Sequence, residues 1–180
     1  MTIKYLFQTP VKVIQMENHS ELTESIFKEI KPTTSASNWT DKKELQDIFN
    51  NEASKFFNEL TGLELPFLHS SSWINSAPKY DYTNVHHHGN SFLVGVYYLK
   101  AKKDCGDLIL HDPRGAKNWI AGVETRKGFP MGGRDFYSYE PKEGELILFP
   151  AYISHNVNPN FSDDVRVSLA INFWSKEYKY

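Results

Sequence analysis

The run Val165-Arg166-Val167-Ser168-Leu169-Ala170-Ile171-Asn172-Phe173-Trp174 alternates strictly in character. In an extended strand, Val165, Val167, Leu169, Ile171 and Phe173 fall on one face. Arg166, Ser168, Ala170, Asn172 and Trp174 fall on the other. A strand this long with one wholly apolar face belongs in a sheet backed by a packed layer. The apolar face is expected to pack into the core of a sandwich. The second face is mostly small or polar around one arginine and suits a cavity wall. An arginine directed inward there needs an anion, or else an internal ion-pair partner. Its planar fork matches a carboxylate bidentately, and Ser168 can donate beside it.

The preceding residues supply the other layers. Residues 4–15 alternate around Pro10, which cannot donate to a central ladder, and read as an edge strand. Residues 20–30 predict a short helix with Ser20 as its N-cap and Leu22, Ile26, Phe27 and Ile30 as its apolar stripe. A turn-rich segment follows. Thr40 or Asp41 then starts a longer helix to about Leu60, with Leu45, Ile48, Phe49, Phe56, Phe57 and Leu60 buried and Gly62 ending it. Strands are predicted at 66–78, 82–88, 92–100, 108–111, 137–139 and 145–149, with Pro141-Lys142-Glu143-Gly144 as a turn. Residues 115–134 carry five glycines and no clear period, which suggests a lid or a substrate-binding insert. Two helices followed by many short strands predict a mainly β fold: a jelly-roll barrel backed by helices. With 180 residues, one domain over 1–180 is expected, residues 1–65 giving helical support and an edge strand and 66–180 the jelly-roll core.

Charge and cysteine usage narrow the partners. The formal net charge is -2, and Lys and Arg are scattered, so neither nucleic acid nor an anionic membrane is an expected partner. Cys105 is the one cysteine, which excludes an internal disulfide and suits a reducing compartment. The opening residues lack the apolar region of a secretion signal, and no apolar run is long enough to span a bilayer. The expected setting is the cytosol, with a small-molecule or peptide substrate. The exposed edge strand can pair with a second copy.

The histidines carry the chemistry. In Asn84-Val85-His86-His87-His88, read as a strand, Asn84, His86 and His88 share one face. Two imidazoles at i, i+2 can grip one metal ion, and His155, after the strand-like Glu145–Phe149 run, can close the site from a distance. Consecutive histidines also occur in solvated loops. Imidazole suits iron, zinc, copper or nickel, and three protein nitrogens leave positions open for exogenous ligands.

An ordered set of segments resembles a known family. These are Trp73-Ile74-Asn75, His86-His87-His88-Gly89-Asn90-Ser91 leading into Gly95-Val96-Tyr97-Tyr98-Leu99, and Asp112-Pro113-Arg114. Gly144-Glu145-Leu146-Ile147-Leu148-Phe149-Pro150, His155-Asn156-Val157 and Arg166-Val167-Ser168 follow. From about Trp73 onward, with an echo in Phe7-Gln8-Thr9-Pro10-Val11, the chain resembles the iron(II)- and 2-oxoglutarate-dependent dioxygenases. The nearest likeness is to a prolyl-4-hydroxylase-like branch from bacteria and bacteriophages. The resemblance implies a double-stranded β-helix, a cupin-like jelly roll with supporting helices. It implies His86 and His155 as metal ligands and Arg166 as the residue binding the distal carboxylate of 2-oxoglutarate. Ser168, Tyr98 and Asn84 become candidate co-substrate contacts, with Asn75 and Trp174 as pocket walls.

The third ligand departs from the wider superfamily, which uses His-x-Asp or His-x-Glu. Here the pattern is His-x-His, as it often is in this branch, so His88 is the expected ligand. A neutral imidazole in place of a carboxylate leaves the metal one unit more positive. An offset at Gly89 would make His87 the ligand instead, but this ranks below His86 and His88, because His86 and His155 fit the spacing to Tyr98 and Arg166 better. Asp112 is a candidate carboxylate ligand, or a turn residue before Pro113, with Arg114 meeting it or a substrate.

The implied activity uses Fe(II), 2-oxoglutarate and O2, with ascorbate as an accessory reductant. It forms succinate and CO2 while hydroxylating a peptidyl (prolyl) or small-molecule C–H. Two other readings stand beside it. One is a cupin-like three-histidine enzyme without 2-oxoglutarate, disfavoured because Phe92 and Leu93 occupy positions where that pattern wants glutamate. The other is a non-catalytic jelly-roll module stapled by a structural metal.

Overall fold

The computed structural model describes residues 8–29, 43–114 and 136–175. Its elements in chain order are β1 (Lys12–Gln15), α1 (His19–Glu29), α2 (Lys43–Thr61), β2 (Leu68–Ala77), β3 (Thr83–His86) and β4 (Leu93–Lys100). They continue as β5 (Leu108–His111), β6 (Phe136–Tyr139), β7 (Glu145–Pro150), β8 (His155–Val157) and β9 (Arg166–Trp174). A five-stranded sheet, β1-β7-β4-β9-β2, faces a four-stranded sheet, β3-β8-β5-β6. Every pairing is antiparallel. This is the expected jelly roll. β1 lies at the edge of the larger sheet as expected, but it is shorter than the 4–15 reading and starts at Lys12, after Pro10.

The helices cover the outer face of the larger sheet. In α2, Leu45, Phe49, Ala53 and Phe56 recur at helical spacing and are buried. Leu22 and Ile26 do the same in α1. These side chains form one core with Leu146, Leu148, Val167, Leu169, Ile171 and Phe173. The apolar face of β9 therefore packs against the helices, and not into the space between the sheets as its alternation alone suggested. The core between the sheets is a second cluster that includes Val94, Tyr98, Leu108, Leu110, Ile147 and Phe149. Adjacent residues Tyr97 and Tyr98 thus serve opposite layers. Gly95 lies where a Cβ would stand 2.9 Å from the Phe173 ring, so its missing side chain admits that ring into the helix-side core.

Some local expectations need correction. α1 starts at His19, and the Leu22 N–H bonds the Asn18 carbonyl at 3.0 Å, so Ser20 sits within the first turn and not at the cap. Leu60 is exposed, beyond the buried stripe of α2. Gly62 ends α2 as expected, with φ +69° and an N–H bond to Asn58 at 2.7 Å. Residues 1–7, Thr40, Asp41 and the glycine-rich 115–134 lie outside the described residues. Among the described residues no helix is long and apolar enough to cross a membrane.

Candidate metal and co-substrate site

β3 and β8 bring the histidines together. His86 pairs directly with His155 in the antiparallel register, which puts both side chains on one face. β3 ends at His86, so His88 is delivered by the following turn and not by strand alternation. The His88 N–H bonds the Ala151 carbonyl at 3.1 Å and holds that turn against the β7–β8 connection. One ring nitrogen from each of His86, His88 and His155 lies within 4.8 Å of the other two. Ring centroids are 4.3 Å apart for His86–His155 and 5.1 Å for the other two pairs.

The hydrogen bonds say which nitrogens are free. Nδ1 of His86 meets the Asn84 carbonyl at 2.8 Å, and Nδ1 of His155 meets the Ile153 carbonyl at 2.9 Å. Nδ1 of His88 meets Oδ1 of Asn172 at 2.5 Å. A carbonyl oxygen can only accept, so Nδ1 carries the proton in each ring and Nε2 carries a lone pair. The His88 Nε2 is buried and has no hydrogen-bond partner among the described residues. Such an orphaned acceptor beside two other imidazoles is what a missing cation would satisfy. Burial holds the imidazolium form down: His155 is pushed to about 4 and His88 is lowered, in each case first by desolvation. Neutral rings are the ligand form, so this donor set fits a transition metal such as Fe(II).

Trp73 lies parallel to His88 at 5.6 Å, and Phe149 meets His155 edge-on at 5.0 Å. A hollow of about 300 Å³ opens beside His86 and His88, lined also by Trp73, Gly89, Ser91 and Asn172 among others, but not by His155. A larger hollow of about 870 Å³ lies on the other side of the larger sheet, against α1, and holds none of the three histidines.

Arg166, the expected co-substrate residue, is only 3% exposed. Its Nη1 donates to the Cys105 carbonyl at 2.5 Å and lies 3.5 Å from the carbonyls of Gly106 and Asn158. Among the described residues it has no ion-pair partner. Burial lowers its pKa, since desolvation disfavours the charged form. The buried Tyr98 hydroxyl also has no hydrogen-bond partner among the described residues. Burial pushes the Tyr98 phenol well above its usual range, with the Arg166 charge opposing, so it stays a neutral donor. Ser168, 6% exposed, pairs with Tyr98 across β4 and β9. Gly106 makes this packing possible: at φ +94°, a Cβ there would stand 2.1 Å from the Asn158 oxygen and 2.8 Å from Arg166 Nη1.

Other sequence candidates fall elsewhere. His87 is exposed and outside the cluster. Asn84 is exposed, and its contact with the site is its main-chain carbonyl. Asp112 is also outside the cluster; it accepts from the Arg114 backbone N–H at 3.0 Å and from Arg114 Nε at 2.8 Å. Arg114 holds its carboxyl below the usual range. The turn reading of Asp112 therefore describes it. Asn75 is exposed and Trp174 half-buried. Sequence reasoning assigned no role to Ser71 or to the amide of Asn172. Asn172 was legible as a residue of the cavity-wall face; the facing of Ser71 was not.

Residues 71–172 match the family model described as "Putative 2OG-Fe(II) oxygenase". The chain belongs to the 2OG-Fe(II) oxygenase family. No curated protein matches the sequence. Among solved structures, the 2-oxoglutarate complex of the viral collagen prolyl hydroxylase of Paramecium Bursaria Chlorella virus-1 is 13% identical, with a TM-score of 0.64 over 91% of this chain and 94% of that one. HygX of Streptomyces hygroscopicus, solved with nickel and 2-oxoglutarate bound, is 14% identical, with a TM-score of 0.59 over 95% of this chain and 85% of that one. A Burkholderia pseudomallei oxidoreductase of the 2OG-Fe(II) oxygenase family is 16% identical at a TM-score of 0.52; this chain, 80% of it matched, spans 64% of that protein's length. At these identities the solved structures speak to the fold, which is the oxygenase jelly roll.

Proposed function

We propose that this 2OG-Fe(II) oxygenase is a 2-oxoglutarate-dependent hydroxylase whose metal is held by His86, His88 and His155. The observation that carries the reading is the orientation of the three rings, each Nδ1–H tied to an oxygen and each Nε2 left free. Bound Fe(II) would supply O2 activation coupled to decarboxylation of the co-substrate, chemistry that protein side chains cannot perform. The chain's own residues do the positioning. Arg166 offers a guanidinium to the distal carboxylate of 2-oxoglutarate, and the Tyr98 and Ser168 hydroxyls donate beside it. Tyr98, Phe149 and the apolar wall between the sheets exclude water from that carboxylate. Trp73 covers one face of His88 and narrows access to the ligands.

Three neutral ligands leave the dication's charge uncompensated by the protein; one carboxylate of 2-oxoglutarate would offset part of it, while the distal one faces Arg166. The substrate is a peptidyl (prolyl) or small-molecule C–H donor; its support is the likeness to the viral collagen prolyl hydroxylase. Ascorbate would serve as an accessory reductant. The buried, unpaired thiol of Cys105 suits a cytosolic setting, and β1 at the sheet edge offers a surface for a second copy. The test is succinate formation by purified protein with Fe(II), 2-oxoglutarate, ascorbate and O2. It should vanish in His155→Ala, and equal succinate from both proteins would remove the proposal.

A further inference from the structure

The three imidazoles are oriented by different means. The partners of His86 and His155 are main-chain carbonyls two residues earlier in sequence. The partner of His88 is a side chain 84 residues away, Asn172 on β9. An amide is two-faced. With Oδ1 toward His88, the ring must carry its proton on Nδ1, and Nε2 is a lone pair. With the amide turned over, Nδ2–H would donate to Nδ1, and the ring proton would move to Nε2, pointing into the cluster where a metal should bind. The orientation of Asn172 and the tautomer of His88 are therefore one coupled choice.

Ser71 stands on the other side of that amide. Asn172 Nδ2 donates to Ser71 Oγ at 3.0 Å. The two residues are Cα partners in the β2–β9 register, and they meet only because of an irregularity. His69 pairs with Phe173, while Ser71 pairs with Asn172, so Ser70 is an extra residue in the ladder. Without that bulge, Ser71 would lie opposite Ile171 on the helix-side face. Its consequence reaches Trp73 as well, which the same phase shift aims at His88.

We infer that Asn172, tethered by Ser71, is a positioning residue that fixes His88 in the metal-binding tautomer. The inference rests on the three-histidine reading above. It also accounts for a non-carboxylate third ligand: an imidazole can both donate through Nδ1 and present Nε2, so it needs a fixed acceptor behind it, and β9 carries one. Removing such a partner typically weakens metal binding about 10- to 100-fold.

The experiment pairs two readouts. Long-range 1H–15N spectra of metal-free protein labelled at histidine report which nitrogen of His88 is protonated. Co(II) titration reports affinity. Asn172→Leu should lose the single Nδ1–H tautomer and weaken Co(II) about tenfold or more. Asn172→Asp can only accept, so it should keep both the tautomer and the affinity. Ser71→Ala should weaken Co(II) in the Asn172 background and be silent in the Asn172→Asp background, where no amide remains to turn. Wild-type tautomer and affinity in Asn172→Leu would overturn the inference, as would Asn172→Asp falling together with Asn172→Leu. If wild-type protein binds no Co(II), the metal reading fails, and the His88 tautomer in the metal-free variants still decides this inference.

Discussion

His86 and His155 sit directly opposite each other across the β3–β8 ladder, with ring centroids 4.3 Å apart. Their convergence is thus fixed by backbone pairing and needs no ion to create it. Either substitution to alanine should lower Co(II) affinity by at least about a hundredfold, while exposed His87→Ala leaves it unchanged. Isothermal titration of the three variants checks this; equal loss in His87→Ala would move the ligand assignment by one residue.

The charge at Arg166 and its fork separate in a conservative exchange. Arg166→Lys keeps the cation but gives up the planar pair of donors. Affinity for 2-oxoglutarate should fall about tenfold or more, with Co(II) affinity of the co-substrate-free protein retained. Gly106→Ala should produce the same co-substrate defect indirectly. Its Cβ would collide with the Asn158 oxygen and crowd Arg166 Nη1, on a backbone at φ +94°. Thermal unfolding should show an additional loss of about 2 kcal/mol or more for that variant.

Acid should destabilise the metal-free protein through His155. Its folded pKa is about 4, against an ordinary value of 6.5, because it is buried. Between those values the unfolded chain binds the proton and the folded chain does not, so stability rises with pH. The contribution is fully present above about pH 6.5 and is lost as pH falls toward 4, to the extent of about 3 kcal/mol. Urea unfolding of metal-free protein at pH 4.5 and 7 measures it. In His155→Phe the slope between these pH values should flatten.

Metal removal should leave the fold standing. Neither apolar core includes His86, His88 or His155; Phe149, from the core between the sheets, only touches His155. Far-UV circular dichroism should be unchanged by a chelator while succinate formation stops. A chelator-induced unfolding transition would instead favour the metal-stapled module.

Asp112→Asn should affect neither metal nor co-substrate binding. The Asp112–Arg114 pair is partly exposed and closes its own turn, so the stability cost should stay under about 1 kcal/mol. Any drop in Co(II) affinity would return Asp112 to the ligand set.

Much of this was legible in the sequence where a period or a local rule governs. The alternation of β9 divides Arg166, Ser168 and Asn172 from Val167, Leu169 and Ile171, as the two faces require. The apolar stripe of α2 and the stop at Gly62 follow from spacing and from glycine's freedom. What alternation could not say is which layer covers each face, because helices and a second sheet offer the same apolar environment. β9's apolar side in fact faces the helices. Nor could strand phase place His88, since β3 stops at His86 and a turn takes over. The Ser70 bulge is equally silent: no composition rule marks where one extra serine is absorbed, yet it decides that Ser71 meets Asn172. Partners made of main chain, such as the Ile153 carbonyl, carry no residue signature at all.

That last distinction bears on how this centre can change over generations. The acceptors behind His86 and His155 belong to the peptide backbone, and a point mutation cannot delete them. The acceptor behind His88 is encoded by one codon. Heritable tuning of the proposed centre's electronics has its most accessible entry there, on a strand otherwise committed to packing and to carrying Arg166.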